Sequence, residues 1–311
     1  MAPLNQLITG VPLTMSIIDK VVVSEGQVLV EGLFDPATST VTYVVTDPTS
    51  KCCAVIDPVL DYEARAGRTS TASADRLIAH IRENGLSVEW ILETHVHADH
   101  LTAAPYLQDE LGGRTVIGHH VTTVQEVFGA AFNAGAIFKR DGSQWDQLVA
   151  EGDELKLGDQ TFRVMETPGH TPACVSYVFE DAVFVGDTIF MPDFGTARCD
   201  FPGGDAEILY ASVERLLELP EETRVFTCHD YGGEGRDFTW ESSVGRQKRD
   251  NVHLGGGKTR EEFVALRTGR DANLSLPELI LPSVQVNMRA GQFPPAEDDG
   301  ASYIKIPLNK F

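Results

Sequence analysis

Hydrophobic and polar positions along the chain change period several times. Residues 28–34, 41–46 and 52–57 are short apolar or β-branched runs separated by Asp-Pro and Thr-Ser turns, which predicts strands. The spacing then becomes helical. Leu77, Ile78 and Ile81 fall on one face of a helix expected to start at a Ser73 N-cap, run to about Asn84 and stop at Gly85. A strand at 89–93 follows, and a second helix is predicted from Asp99 or His100 to about Leu111, closed by Gly112 and Gly113. The second half uses the same grammar, with strands at 160–167, 174–179, 182–185 and 223–227 and an amphipathic helix at 205–219. Polar clusters sit just past the strand ends: Thr94 to His100, Pro168 to Thr171, Gly186 with Asp187, and Cys228 to Asp230. This pattern predicts an α/β fold of two similar β-rich halves whose strand ends meet in one cleft. The chain reads as a leader at 1–20 and a single domain over 21–311, with an irregular C-terminal extension from about residue 275.

Composition narrows the class. The 311 residues are 42% hydrophobic, enough for a sizeable core. A net charge of −21, from 46 acidic against 25 basic residues, argues against nucleic acid as a partner and against an anionic membrane surface. No stretch approaches the roughly 18–20 apolar residues of a membrane span, and the N-terminus lacks a secretory pattern, so a cytoplasmic protein is expected. The five cysteines (Cys52, Cys53, Cys174, Cys199 and Cys228) are odd in number and scattered, which fits free thiols in a reducing compartment rather than a disulfide framework.

Five of the nine histidines lie in the predicted strand-end loops: His95, His97, His100, His170 and His229. His80, His119, His120 and His253 lie elsewhere and read as ordinary surface or core groups. His95 and His97 are two apart, so on an extended segment they point the same way, and Asp99 and His100 can turn back toward the same point. Three imidazoles and a carboxylate within six residues would repel or go unpaired, whereas together they suit a metal ion. Asp187 adds a second carboxylate.

With these residues in place, the run from His95 to His100, followed by Gly169-His170-Thr171, Gly186-Asp187 and His229, resembles the metallo-β-lactamase superfamily. The likeness covers about residues 28–250. It implies an αββα four-layer sandwich, two mixed sheets flanked by helices, with the metal site at the edge between the sheets. Carried over by position, His95, His97 and His170 would bind a first metal, Asp99, His100 and His229 a second, and Asp187 would bridge them. Finer motifs, Arg198 to Gly204 after the metal aspartate and Cys228-His229-Asp230-Tyr231, are similar to those of the persulfide dioxygenases, a bacterial subgroup of which is also suggested by the insertion at 67–72. That resemblance implies one Fe(II) per chain held by His95, His170 and Asp187, with His97, Asp99, His100 and His229 nearby but not bound to it. It further implies glutathione persulfide and O₂ as substrates and sulfite and glutathione as products. A separate rhodanese or sulfide-oxidising enzyme would act with it, and a homodimer is left open. Arg198, Tyr231, Arg289 and Lys305 are candidates for binding glutathione, Arg198 being equally readable as a salt-bridge partner of Asp200 or Asp187. The alternatives are a dinuclear zinc hydrolase of thioesters or lactones, similar to glyoxalase II, and a non-enzymatic sulfur-binding or redox-sensing protein.

Overall fold

The structure, a computed structural model, describes residues 22–233 and 235–310, so the leader expected at 1–20 lies outside the described residues. In chain order the strands of the first half are β1 (Val22–Ser24), β2 (Leu29–Asp35), β3 (Thr40–Thr46), β4 (Cys52–Ile56), β5 (Val59–Glu63), β6 (Arg68–Ser70), β7 (Ser87–Leu92), β8 (Leu101–Thr102), β9 (Arg114–Gly118) and β10 (Gln147–Val149). Those of the second half are β11 (Glu154–Leu157), β12 (Gln160–Glu166), β13 (Val175–Val178), β14 (Ala182–Phe184), β15 (Arg224–Phe226) and β16 (Glu241–Ser243). The helices are α1 (Ala72–Glu83), α2 (Ala104–Leu111), α3 (Val121–Ala131), α4 (Ala206–Leu217), α5 (Val244–Asp250), α6 (Arg260–Asp271) and α7 (Ile280–Asn287).

Period-two alternation with both faces apolar builds the layers. In β3 and β4, Tyr43, Val45, Ala54 and Ile56 face one way and Val44, Cys53 and Val55 the other, and all are buried. The first set meets Leu155, Phe162, Val164, Tyr177, Phe184 and Phe226 from the second half, so the two sheets share one core. The second set packs under Leu77, Ile78 and Ile81 of α1 and Leu107 of α2. On the far side, Val183 and Val225 are covered by Leu209, Val213 and Leu216 of α4 and Phe263 of α6. The result is the four-layer αββα sandwich. One sheet runs β1-β2-β3-β4-β7-β9-β10 and the other β11-β12-β13-β14-β15-β16, while β6-β5-β8 form a small third sheet. Among the described residues no helix is long and apolar enough to cross a membrane. All five cysteines are free.

Three sequence expectations need correction. The helix placed at Asp99 or His100 starts at Ala104 instead, because Leu101–Thr102 first pairs with β5 and Pro105 then sets the opening turn. The helix at 73–84 begins at Ala72 after Thr71, and Ser73 does not cap it; its hydroxyl and N–H donate to Asp61 at the hairpin beside it. The tail is not wholly irregular, since α7 occupies Ile280–Asn287 with Ile280 and Val284 packed on α3 residues Val121, Val124 and Phe128.

Phe162 is 1% exposed, stacked on Phe179 at 4.9 Å between ring centroids and edge-on to Tyr177 at 5.9 Å. Truncating it opens a cavity between the two sheets. Phe162→Ala is therefore expected to lower unfolding free energy by about 3–5 kcal/mol in a denaturant titration followed by circular dichroism.

Candidate metal centre

Five strand ends deliver polar side chains to one place. Asp57 follows β4, Glu93 to His100 follow β7, His170 follows β12, Asp187 follows β14 and His229 follows β15. β4 runs parallel to β7, and β14 to β15, so within each sheet these ends emerge on the same side. Backbone bonds tie the two sheets together there: the Val175 N–H donates to the Thr94 carbonyl at 2.9 Å, and the Val41 N–H to the Cys228 carbonyl at 2.8 Å. The Tyr177 hydroxyl adds a bond to the Glu93 carbonyl at 2.9 Å. Two turns depend on glycine. At Gly186 (φ +51°) a Cβ would stand 2.6 Å from the Thr94 hydroxyl, and at Gly169 (φ +137°) it would stand 2.4 Å from Cα of Leu209. These close approaches seat Asp187 and His170.

Each histidine fixes itself with one ring nitrogen and presents the other. The Thr94 hydroxyl gives its proton to Asp57 at 2.8 Å and so accepts from His95 Nδ1 at 3.0 Å, leaving Nε2 bare. His170 Nδ1 donates to the Arg198 carbonyl at 2.7 Å and His229 Nδ1 to the Ser39 carbonyl at 3.2 Å. His100 Nδ1 lies 3.3 Å from the Thr40 hydroxyl. His97 is turned the other way: its Nε2 faces Asp57 at 3.0 Å and Glu93 at 3.2 Å, which frees Nδ1. His95 Nε2, His97 Nδ1, His100 Nε2 and His229 Nε2, with Asp99 Oδ2 and Asp187 Oδ1, are buried and make no hydrogen bond.

These atoms converge. His95 Nε2 and His170 Nε2 lie 3.9 and 3.7 Å from the same Asp187 Oδ2. His229 Nε2 is 3.2 Å from Asp99 Oδ2 and 3.3 Å from Asp187 Oδ1. The ligand atoms of His95, His170 and Asp187 fall within 4.8 Å of one another, and so do those of His97, Asp99 and His100. A buried polar atom left unpaired costs about 1–3 kcal/mol, so this many in one spot fits a site built for a metal cation. Burial, reinforced by His97 and His170, holds the His95 pKa well below the ordinary value, which keeps that ring in the neutral, ligating form. For His97 burial pushes the same way, but Asp57 and Glu93 overcome it and raise the pKa.

Beside the centre lies a cavity of about 960 Å³. Asp99, His170 and Asp187 line it, together with Phe190, Phe194, Phe201 and Tyr231 and the exposed Arg65, Arg68 and Arg270. Tyr231 stacks on His229 at 5.4 Å. Arg198 also lines the cavity, and there Asp200 holds its guanidinium through two bonds of 2.6 Å while the Ser275 carbonyl accepts a third. Of its two readings, the geometry favours the ion pair with Asp200. Arg289 and Lys305 do not reach the cavity lining. Arg289 covers the Phe138 ring at 4.5 Å and donates to the Gln285 carbonyl, while Lys305 Nζ donates to the Asn133 carbonyl.

Several residues of the site are not obvious from sequence. Asp57 and Glu93 orient His97, and Asp57 shows the same signal as the other clusters, a polar residue at the exit of an apolar strand. Asn287 of α7 has no such signal. Its amide donates to the carbonyls of His97 at 2.9 Å and His100 at 2.7 Å and accepts from the Thr102 N–H at 3.0 Å. His253 is structural, its Nδ1 accepting from the Thr196 N–H at 2.9 Å.

Asp57→Asn should weaken metal retention about 10–100-fold by loosening the Thr94 hydroxyl that orients the His95 ring, along with His97. Competition against a chelator measures this, and unchanged affinity would mean that Asp57 does not set either ring.

The metallo-beta-lactamase superfamily model matches residues 35–229. The chain is 57% identical over 290 residues to a probable metallo-hydrolase of Burkholderia pseudomallei, covering 90% of this chain and 99% of that one. It is 32% identical over 277 residues to the mitochondrial persulfide dioxygenase ETHE1 of Mus musculus, covering 88% and 93%. The crystal structure of ETHE1 from Myxococcus xanthus superposes with a TM-score of 0.67 at 33% identity, over 85% of this chain and 99% of that one. Matched along most of its length and carrying the converging histidines and aspartates at its strand ends, the chain belongs to the metallo-β-lactamase superfamily.

Proposed function

We propose that this protein oxidises glutathione persulfide with O₂ to sulfite and glutathione, with one ferrous iron held by His95, His170 and Asp187. The observation that carries the reading is the approach of two histidine Nε2 atoms to one oxygen of Asp187, a two-histidine, one-carboxylate face open toward the cavity. The likeness to the mouse and Myxococcus proteins supports it. So does the Arg198 to Gly204 loop, whose carbonyl at Arg198 orients His170 and whose Phe201 ring packs on it at 5.2 Å.

Fe(II) at such a face supplies O₂ activation and open positions for a sulfur ligand. The overall change consumes one persulfide, one O₂ and one water; the terminal sulfur is oxidised, the S–S bond breaks, and one glutathione, one sulfite and two protons are released. The chain's own residues do the rest. Phe190, Phe194 and Phe201 give the cavity an apolar wall that limits water beside the reacting sulfur. His97, Asp99, His100 and His229 stand next to the metal as polar neighbours that can hold water or a proton. Glutathione carries two carboxylates, and Arg65, Arg68 and Arg270 are the cavity cations with exposed side chains to receive them.

A second reading rests on a specific observation. The bare atoms of His97, Asp99, His100 and His229 form a second ligand group, as a dinuclear zinc hydrolase of thioesters or lactones requires, and the Burkholderia relative is named a metallo-hydrolase.

Metal content and O₂ uptake separate the two. Elemental analysis should find about one iron per chain, and an oxygen electrode should record about one O₂ consumed per glutathione persulfide. Asp187→Asn should lose both iron and O₂ uptake, whereas His100→Ala should keep most of its iron. Two zincs per chain with thioester hydrolysis and no O₂ uptake by iron-loaded protein would overturn the dioxygenase reading.

The rim arginines give an independent handle. Arg65→Ala combined with Arg68→Ala should raise KM for glutathione persulfide about 3–10-fold and leave kcat nearly unchanged, because exposed charges contribute about 0.2–1 kcal/mol each to binding. A fall in kcat with KM unchanged would show that these residues act in the chemistry instead.

A further inference from the structure

A second group of metal-type ligands lies outside the catalytic cleft. His119 and His120 follow β9 at the start of α3, and Glu166 ends β12, so the three bridge the seam between the two sheets. One oxygen, Glu166 Oε1, stands 3.1 Å from His119 Nδ1 and 3.8 Å from His120 Nε2. The two rings lie side by side, 3.8 Å between centroids, and the ligand atoms of all three residues fall within 4.8 Å of one another.

The geometry is not that of a simple ion pair. Despite the 3.1 Å separation, His119 Nδ1 is shielded from solvent and makes no hydrogen bond, because its N–H direction does not point at the carboxylate. His95 Nε2 is likewise buried without a hydrogen bond in the catalytic centre, although Asp187 stands farther from it, at 3.9 Å. The backbone around Glu166 is firmly held: its N–H donates to Glu151 at 2.8 Å and its carbonyl accepts from Arg215 at 3.1 Å. The backbone that carries this carboxylate is thus held, four residues before His170.

We propose that His119, His120 and Glu166 bind a divalent transition cation of the zinc class, with solvent completing the coordination. Two imidazoles and one carboxylate are a borderline ligand set that suits Zn²⁺. An ion there clamps the β9–α3 corner of one sheet to the end of β12 in the other, and so stabilises the segment that leads to His170. Binding to the folded state alone raises the melting temperature.

The test uses the iron-loaded protein equilibrated with Zn²⁺ and counts bound zinc by elemental analysis. The double variant His119→Ala with His120→Ala should hold one zinc fewer per chain than the wild type and lose the zinc-induced rise in melting temperature. Because the catalytic centre is the same in both proteins, this difference of one ion holds whether that centre takes one metal or two. His120→Ala alone, with a ring about half exposed (48%), keeps the test open should the double variant fail to fold, and should weaken zinc binding at least tenfold. Equal zinc content and an equal thermal shift in wild type and folded variant would overturn the proposal and leave an ordinary histidine–glutamate contact.

Discussion

Buried imidazole nitrogens with nothing to bond are the constraint around which the rest of the molecule is arranged. His95, His97, His100 and His229 each spend one nitrogen on a protein partner and leave the other unpaired, that of His229 facing both Asp99 and Asp187. No folded chain holds such a cluster without a strong reason, since every unpaired polar atom in the interior works against stability. A cation removes that cost, and its uptake then depends on the rings being in the right tautomer. The Thr94, Arg198 and Ser39 oxygens and the Asp57–Glu93 pair set the tautomers one by one.

The sandwich explains how the nitrogens meet. Two sheets with apolar inner faces must stack, and the stacking brings the strand ends of both halves to a common edge. There the cross-sheet bonds Val175 to Thr94 and Val41 to Cys228 fix the loops relative to each other. Helices from the last fifth of the chain complete the frame. Asn287 grips the His97 and His100 carbonyls. In α6, Arg267 and Asp271 hold the loop that carries Arg198, the former by donating to the Thr196 carbonyl and the latter by accepting from the Cys199 N–H. The metal loops are therefore rigid because elements distant in sequence bond to their backbone, not because of any propensity of their own.

Charge is arranged on two scales. The chain as a whole is strongly acidic, with a formal net charge of −21. Around the cavity, Arg65, Arg68 and Arg270 place positive charge among the acidic lining residues, on the β5–β6 hairpin and at the end of α6. Arg198, which by sequence reads equally as a substrate ligand and as a salt-bridge partner, lines the cavity with its charge engaged by Asp200, while its carbonyl accepts from His170.

Much of this was legible before any coordinates. Alternation with a period of two, helical spacing in α1 and α4, and polar clusters at strand exits are local properties, and they led to two β-rich halves whose strand ends meet in one cleft; the αββα layering and the centre at its edge came from the superfamily resemblance. The superfamily was suggested by the resemblance of the motifs that hold His95, His97, Asp99, His100, His170, Asp187 and His229. What sequence could not supply were relations between distant segments. Val121, Val124 and Phe128 of α3 share a core with Ile280 and Val284 of α7, which sits in a Pro-rich tail whose hydropathy carries little amphipathic signal. Nothing local marks Asn287 as a clamp, Arg289 and Lys305 as turned away from the cavity, or Glu166 as the neighbour of His119 and His120. Those facts exist only once the chain has folded, because each depends on two segments meeting across a packed interior rather than on the pattern within either one.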